Sequence, residues 1–350
     1  MEIQFLQAEY GDANIIKTKA GDKPYTIVVD GGPESTAEEI SRQLQALEHI
    51  DLMVLTHFDE DHIMGLIKYV ERYKGQPLPV DKFWCNCAQN IDLPPEPDIS
   101  DAGYENANTL AAFLRAQQQL NPSFEWREDI QIGTSLQDGD LRIDVISPSP
   151  EILSTLKEEY NDYISKHPQI DEEEDDLDIA SYRVETDAKT SIEDLSKTDT
   201  PRSVNLWNKA SIAFLLRAEG KQVLLTGDAD AEVMAKGLES IVGIELPVDI
   251  DLMKAAHHGS RNNVSKRFLS LIRCHNFAFT TNGGTRNWYH PDRKTMALMV
   301  NSSNRDKQQA VHFFFNYSLK TIQKRTGNLL SEEEKEQYNC EMQEQRIIEL

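Results

Sequence analysis

Short apolar runs alternate along this chain with longer amphipathic stretches. The runs are four to six residues long and end at Gly, Pro or Asp-containing turns, a pattern that predicts buried strands. Predicted strands cover residues 3–6, 14–18, 25–29, 51–56, 82–85, 141–146, 212–216, 222–226, 252–256, 277–281 and 311–315. Apolar residues that recur three or four positions apart predict helices over residues 36–47, 63–73, 107–120 and 151–166, and another that ends at Leu238.

This alternation of strands and helices indicates an α/β (α+β) fold. Two mixed sheets packed face to face, with helices on their outer sides, would bury the apolar face of every element. We therefore predict an αββα four-layer sandwich that forms a single domain over residues 1–330. The Glu- and Lys-rich residues 331–350 predict a charged helical tail.

Metal-binding residue types follow one predicted strand in an unusually dense group. His57, Asp59, Asp61 and His62 occupy six positions between strand 51–56 and the next helix. Imidazole and carboxylate ligands together suit a divalent cation such as zinc or manganese. A helix cap formed by Asp61 would explain one of these residues but not all four, so the pattern predicts a metal site at this turn.

Three further strand ends carry candidate site residues. Asp30 begins an Asp-Gly-Gly turn, and its glycines allow a close backbone approach, so that Asp30 can orient groups at the metal edge. Asp228 ends an apolar run, where its carboxylate could bridge two cations. His257 and His258 end another run, and strand alternation would point them in opposite directions, so that one of the two binds metal. The residues after them, Arg261, Asn262 and Asn263, could hold a phosphate.

The segment from His57 to His62 resembles the His-x-His-x-Asp-His signature of the metallo-β-lactamase fold, with Asp59 in place of the second histidine. Followed by Ile63 and Gly65, this variant is similar to the metallo-β-lactamase domain of competence DNA-uptake proteins and to its stand-alone soluble relatives. The resemblance runs from about residue 3 to residue 315, apart from one insertion. It also includes Gly-Asp-Ala at residues 11–13, Asn208-x-x-Ser, Thr-Gly-Asp228 and, loosely, the segment that ends in His290-Pro.

This resemblance implies two divalent metal ions, Zn²⁺ or Mn²⁺. His57 and Asp59 would hold one cation and Asp61, His62 and His258 the other, with Asp228 between them. Asn208 or a water would complete the first site, which lacks a histidine that many members of the fold supply. The remaining roles are catalytic for Asp61, His257 and Asp30 and substrate-binding for Asn208, Lys209, Ser260, Arg261, Asn262 and His290, with His257 contacting the substrate or its leaving group.

Such a centre predicts a binuclear metal-dependent hydrolase. A metal-bridged hydroxide can attack a phosphodiester, ester, lactone or amide at neutral pH. Because the competence domain is implicated in degrading a DNA strand, we expect a nuclease or phosphodiesterase, with DNA the favoured substrate. The alternatives are a hydrolase of a small phosphoester, carboxylic ester or lactone, and a regulatory or interaction subunit that retains the fold.

The charge of the chain is strongly acidic and unevenly distributed. Of a formal net charge of −23, residues 171–200 contribute twelve Asp or Glu residues against three basic ones. This stretch lies in an insertion over residues 150–205, and its composition predicts a flexible segment. The insertion would be a solvated loop or a gate over basic residues at the site, and a regulatory protein or a protease could act on it. The nuclease hypothesis also predicts a basic rim at the site, formed by Lys209, Arg261, Arg286 and Arg293. Candidate cleavage positions are Arg183, Lys189, Lys197 and Arg202.

The composition also bears on the compartment. No apolar stretch approaches the ~18 residues of a membrane span, and the amino terminus has neither the basic nor the apolar region of a signal peptide. Four scattered cysteines lack the spacing of a disulfide framework. These features predict a cytoplasmic protein that does not bind membranes.

Overall fold

Strands and helices follow one another largely in the predicted order. The computed structural model describes residues 1–86, 102–166, 184–199, 204–285 and 288–350, including their side chains except those of 102–104 and 160–166. Strands occupy Glu2–Phe5 (β1), Asn14–Ala20 (β2), Lys23–Val29 (β3), Ile50–Val54 (β4), Val80–Trp84 (β5), Glu125–Arg127 (β6), Ser135–Asp138 (β7), Leu141–Ser147 (β8), Ala213–Ala218 (β9), Lys221–Leu225 (β10), Val248–Ile250 (β11), Leu252–Lys254 (β12), Ile272–Cys274 (β13), Asn276–Phe279 (β14), Val311–Phe315 (β15), Cys340–Glu344 (β16) and Ile347–Glu349 (β17). Helices occupy Glu34–Gln45 (α1), Glu60–Glu71 (α2), Ala102–Leu120 (α3), Pro150–Lys166 (α4), residues 184–189 (α5), Ile192–Lys197 (α6), Leu206–Lys209 (α7), Ala231–Ser240 (α8), Lys266–Ser270 (α9), Arg293–Val300 (α10), Leu319–Thr326 (α11) and Glu332–Tyr338 (α12), with 3₁₀ turns at Ala256–Gly259 and Arg261–Asn263.

Two mixed sheets form the middle of the molecule. Within the described ranges, the first sheet has the strand order β17-β1-β2-β3-β4-β5-β6 and the second the order β16-β15-β14-β12-β10-β9-β8-β7. In the first sheet β3, β4 and β5 are parallel, and in the second β10, β12 and β14 are parallel. The carboxyl ends of parallel strands share one edge of a sheet, and the candidate site residues follow these ends.

Buried apolar side chains fill three layers. The layer between the two sheets includes Ile27 and Leu52 from the first sheet and Phe214 from the second. The outer face of the first sheet packs against α1, α2 and α3, and that of the second packs against α8, α9 and α10. None of the helices in the described ranges is long and apolar enough to cross a membrane. The predicted αββα sandwich is confirmed.

The insertion contains more regular structure than its composition predicts. Besides the predicted helix α4, helices α5 and α6 lie within it. Ile192 and Leu195 of α6 are buried and belong to the apolar layer on the outer side of the second sheet. Residues 184–199 therefore differ from the expected flexible loop, because two apolar side chains anchor them. Residues 171–183 and 200 of that prediction lie outside the described ranges.

The carboxyl-terminal residues also differ from the predicted helical tail. Only Glu332–Tyr338 is helical; β16 then pairs with β15 in the second sheet and β17 pairs with β1 in the first. Cys340 and Ile348 are buried in these strands. The last residues therefore extend both sheets. The strands were not predicted because this charged segment contains few apolar residues that pack against the core.

Candidate metal centre

The turn between β4 and α2 brings the four residues of the densest motif together. Asp59 is the N-cap position of α2, yet its side chain makes no capping hydrogen bond, so its carboxylate is left for another partner. His57 and His62 are buried, whereas the side chains of Asp59 and Asp61 are 27% and 23% exposed. His57 Nε2 lies 3.3 Å from Asp59 Oδ2, and His62 Nε2 lies 3.8 Å from Asp61 Oδ2.

Asp30 lies behind two of these histidines. Its carboxylate accepts hydrogen bonds from the backbone N–H of Thr56 at 2.8 Å and from Thr56 Oγ1 at 2.9 Å. The same carboxylate lies 2.9 Å from His62 Nδ1, and Thr56 Oγ1 lies 3.1 Å from His57 Nδ1. Since both oxygens act as acceptors there, each Nδ1 carries the hydrogen and each Nε2 keeps its lone pair. Asp30 therefore orients the histidines, as the sequence predicts, from a position on their far side.

His257 and His258 lie in a left-handed turn and not in a strand. Their φ angles are 48° and 55°, within the 3₁₀ turn that follows β12. Two consecutive non-glycine residues in this conformation cost of the order of 1–2 kcal/mol each. The prediction that strand alternation separates the two side chains is wrong, because this turn lets both rings face the same centre.

The second of these histidines is fixed by the backbone just after β14. His258 Nδ1 lies 2.8 Å from the Thr280 carbonyl oxygen, which can only accept, so Nδ1 carries the hydrogen. His258 Nε2 faces Asp61 Oδ2 at 3.4 Å. Asp12, which the sequence analysis did not select, lies 3.7 Å from His258 Nδ1 and accepts hydrogen bonds from Thr280 Oγ1 and from the buried ammonium of Lys254.

The first of these histidines is held by Asn263 and lies beside Asn208. His257 Nδ1 lies 3.2 Å from Asn263 Oδ1 and 3.4 Å from Asn208 Nδ2. Asn263 Nδ2 donates to the Asp228 carbonyl oxygen at 2.8 Å, which fixes the amide with its Oδ1 towards His257. His257 Nε2 faces Asp228 Oδ2 at 3.6 Å. Asn208, predicted as a possible ligand of the first cation, therefore lies behind the His257 ring.

Asp228 is the carboxylate at the middle of the site. Its Oδ2 lies 3.5 Å from His62 Nε2 as well as 3.6 Å from His257 Nε2. Burial alone would raise the pKa of this carboxyl, but the surrounding histidines outweigh burial and hold the pKa well below its usual range. Burial likewise opposes ionisation of Asp61, yet His62 and His258 lower its pKa to about 2. Both carboxylates are therefore ionised at neutral pH.

The side chains present fit a divalent cation. Four histidines are bound through Nδ1 and direct Nε2 towards the carboxylates of Asp59, Asp61 and Asp228. The buried Nε2 atoms of His57, His62 and His258, and Asp228 Oδ1, have no hydrogen-bond partner among the described residues. Buried polar atoms are normally paired, so these four atoms indicate a missing common partner of positive charge.

Ligand atoms of Asp12, His62, Asp228 and His258 lie within 4.8 Å of one another. This grouping includes Asp12, but the Asp12 oxygens are already bound by Lys254 and Thr280. We therefore place Asp12 behind the ligands. The sequence signal for Asp12 was the Gly-Asp-Ala turn at residues 11–13. Only glycine fits at position 11, because a Cβ there would lie 2.0 Å from the Asp61 carbonyl oxygen.

The predicted substrate contacts occupy several environments. Ser260 is buried, and its Oγ accepts from the Asn262 N–H at 3.3 Å, which closes the turn after the histidines. His290 is buried with its ring centroid 5.3 Å from that of His257. Neither ring nitrogen of His290 has a hydrogen-bond partner in the described part of the chain. Lys209 is partly exposed beside Asn208.

The predicted basic rim is largely occupied by acidic side chains. Arg261 Nε donates to Asp292 Oδ1 at 2.8 Å, and its Nη2 binds the carboxylate of Asp187 in α5. Arg293 is buried and binds Glu334 and three main-chain carbonyl oxygens. The prediction that Arg293 belongs to the basic rim is therefore wrong. Arg286 lies outside the described residues. In this conformation the rim therefore offers little free positive charge.

A family model and a curated relative match parts of this chain. Residues 20–148 match the model of the Metallo-beta-lactamase superfamily. Among curated proteins, the chain is 20% identical over 261 residues to ComE operon protein 3 of Bacillus subtilis (strain 168), which covers 75% of this chain and 24% of that protein. The chain thus spans about a quarter of the length of this relative.

Two of the solved structures to which this chain is similar align over nearly the whole length of both chains. The metallo-beta-lactamase fold protein YhfI from Bacillus subtilis is 10% identical, covers 99% of each chain and has a TM-score of 0.41. Zn²⁺-bound PqqB from Methylobacterium extorquens is 11% identical, covers 100% of each chain and has a TM-score of 0.42.

The architecture, the family match and the position of the ligand cluster define a metallo-β-lactamase fold with a candidate metal-binding centre. The chain is, in addition, weakly similar to ComE operon protein 3. The predicted resemblance is confirmed at this level. The match to the superfamily model and the ligand cluster together support a metal-dependent hydrolase.

Proposed function

We propose that this chain is a metal-dependent phosphodiesterase that cleaves nucleic acid, with DNA the preferred substrate. His57 and Asp59 would hold one Zn²⁺ or Mn²⁺ ion and Asp61, His62 and His258 a second, with Asp228 shared. When bound, such ions activate water for attack at neutral pH and stabilise negative charge that develops on a phosphate oxygen. The resemblance to competence DNA-uptake domains supports DNA as the substrate.

The observation that carries the choice of a phosphodiester is the carboxylate bound to Arg261. A guanidinium group binds carboxylates and phosphates with the same fork of N–H donors. Arg261 is three residues from His258, and its fork is filled by Asp187 and Asp292. An acidic side chain of the insertion therefore lies where a phosphate next to the metal centre would bind.

Other residues of the site would orient the ligands, the attacking water and the substrate. Asp30 and Thr56 keep His57 and His62 in the orientation that directs Nε2 to the centre. Asp61 stays ionised and partly exposed, so it can orient the attacking water from the open side. His290 would contact the substrate; its ring nitrogens have no hydrogen-bond partner among the described residues, and its Nδ1 lies 3.7 Å from Asp292 Oδ2.

Residues 184–199 would act as a gate in this proposal. Besides the apolar anchor of α6, this segment is bound by four basic side chains of the second half of the chain. Arg261 binds Asp187, Arg293 binds the carbonyl oxygens of Asp187 and Thr190, Lys294 binds Thr198, and Lys266 binds the carbonyl oxygen of Lys197. A regulatory protein, or a protease cutting at an exposed residue such as Lys189, would free Arg261 by displacing the segment.

Cleavage of labelled single- and double-stranded DNA and RNA, with Mn²⁺ or Zn²⁺, tests both parts of the proposal. His62→Ala should lower the rate by at least about 100-fold, because it removes a buried ligand whose supporting partners alone are worth about 10–100-fold. Asp187→Ala should raise the rate several-fold. This point variant is preferable to deletion of the segment, which would uncover the apolar layer that Ile192 covers.

Glu193→Ala is the matched control, since it removes the same charge from an exposed position on α6. If Asp187→Ala and Glu193→Ala behave alike, the gate is ruled out while the hydrolase stands. If no variant cleaves nucleic acid although metal analysis shows a filled site, the nuclease is wrong. Small phosphoesters, carboxylic esters and lactones would then be the substrates to screen.

A further inference from the structure

The first cation site, as the sequence implies it, is short of ligands. His57 Nε2 and Asp59 Oδ2 lie 3.3 Å apart, and Asp228 is the proposed shared third ligand. Cations of the zinc type usually take at least four ligands, at least three of them from protein. Asn208, the residue predicted to complete the set, lies on the Nδ1 side of the His257 ring, 3.4 Å from that nitrogen.

His257 has the geometry of the missing ligand. Its Nε2 lies 3.6 Å from Asp228 Oδ2, almost the same distance as the 3.5 Å that separates His62 Nε2 from that oxygen. The Asp228 carboxylate thus lies between an imidazole from each half of the chain. A side chain that only contacted the substrate would not need its ring nitrogen directed at the central carboxylate.

The surroundings of His257 support the same role. Asn263 Oδ1 accepts the Nδ1 hydrogen, and the Asn263 amide is itself fixed by the carbonyl oxygens of Asp228 and Ala229. Metal-binding histidines are typically oriented in this way by an acceptor on their other nitrogen. His57, His62 and His258 each have such an acceptor as well, namely Thr56, Asp30 and Thr280.

The backbone gives an independent argument. His257 and His258 both have positive φ angles, and such strain in non-glycine residues is retained where function requires it. An extended chain would direct only one of the two rings to the centre. The left-handed turn directs both, at a ring-centroid separation of 5.8 Å.

We infer that His257 is a ligand of the first cation, together with His57, Asp59 and Asp228, and that it replaces the histidine absent from the Asp59 variant of the motif. The site then has four imidazoles and three carboxylates for two cations. This inference rests on the proposed metal centre but not on its substrate.

Metal binding by the apoprotein, without any substrate, tests the inference. Co²⁺ titration followed by absorbance and by competition with a chelator should give two equivalents for the wild type. For His257→Ala, one equivalent should be retained and the other weakened by more than about 100-fold, since partners behind a ligand alone contribute about 10–100-fold. His275→Ala removes an imidazole away from the centre, where its Nε2 lies 3.3 Å from the Asp306 carbonyl oxygen, and should bind both equivalents normally.

Two equivalents of unchanged affinity in His257→Ala would overturn the inference and return His257 to a substrate contact. If that variant does not fold, His257→Gln keeps a polar side chain of similar size, and it should still lose the first equivalent. A wild type that binds a single cation, with the same affinity in His257→Ala, would also overturn it. None of these outcomes depends on cleavage, so a failure of the nuclease proposal remains distinguishable.

Discussion

At the residue scale, a buried lysine sets the charge behind the metal centre. Lys254 is almost completely buried, binds the Asp12 carboxylate and lies 4.0 Å from Asp228 Oδ1. Burial lowers the pKa of its ammonium group, but Asp12 and Asp228 outweigh burial and raise that pKa above its usual value. The Lys254 ammonium group therefore compensates the negative charge of Asp12 behind His258.

Replacing Lys254 by Met should destabilise the fold. Met preserves much of the volume but leaves the Asp12 carboxylate buried without its cation, a change that typically costs about 3–5 kcal/mol of unfolding free energy. Urea denaturation of the metal-free protein measures this loss. The double variant Lys254→Met with Asp12→Asn should recover part of it, because no unpaired charge remains. A single variant as stable as the wild type would show that the pair contributes nothing to the fold.

Single residues also show where sequence reasoning stops. His57, Asp59, Asp61 and His62 could be selected because they are close together in the chain and follow one strand. Asp12 and Thr280 could not, since each reaches the site from a loop far away in sequence. Asn263 was predicted as a phosphate contact, whereas the structure shows its Oδ1 beside His257 Nδ1. The predicted orientation of His257 was wrong because the alternation of side chains in a strand does not continue into the left-handed turn that follows β12.

At the element scale, strands with a clear apolar run were predictable and short ones were not. β4, β9 and β15 are almost entirely buried, and the sequence pattern located each of them within a few residues. Strands β6, β7 and β17 are three or four residues long, which is too short to show an apolar pattern. Their conformation is imposed by pairing with a neighbouring strand, which no local pattern reports.

The carboxyl-terminal strand β17, which replaces the predicted helical tail, can be tested directly. Ile348 is 4% exposed and packs between the sheets, whereas its neighbour Ile347 is 45% exposed. Ile348→Ala should reduce the unfolding free energy by about 2–4 kcal/mol through the lost burial and the cavity. Ile347→Ala should change it by less than about 1 kcal/mol.

Urea denaturation of the two variants distinguishes a strand from a surface helix. In a strand, adjacent residues point to opposite faces, so the two changes must differ strongly. Equal and small effects would mean that residues 347–349 do not contribute to the first sheet in solution.

At the scale of the whole molecule, charge opposes the proposed substrate. The net charge of −23 repels a polyanion over a distance set by ionic strength, about 30 Å at 0.01 M salt and about 8 Å at 0.15 M. In the gated conformation, Arg261 is also neutralised by Asp187 and Asp292. The long-range field and the occupied rim therefore act in the same direction, and encounter with DNA should be slowed most at low salt.

This reasoning predicts a salt dependence opposite to that of a basic nuclease. Between about 0.02 and 0.15 M salt, kcat/KM for a single-stranded DNA should rise several-fold, because screening weakens the repulsion; binding driven by Lys and Arg would fall instead. Cleavage of a phosphodiester with a single negative charge should change much less. The Asp187→Ala variant, with Arg261 partly released, should show a weaker rise than the wild type. A kcat/KM that falls with salt in the wild type would mean that a local cationic surface, and not the net charge, governs how DNA reaches the site.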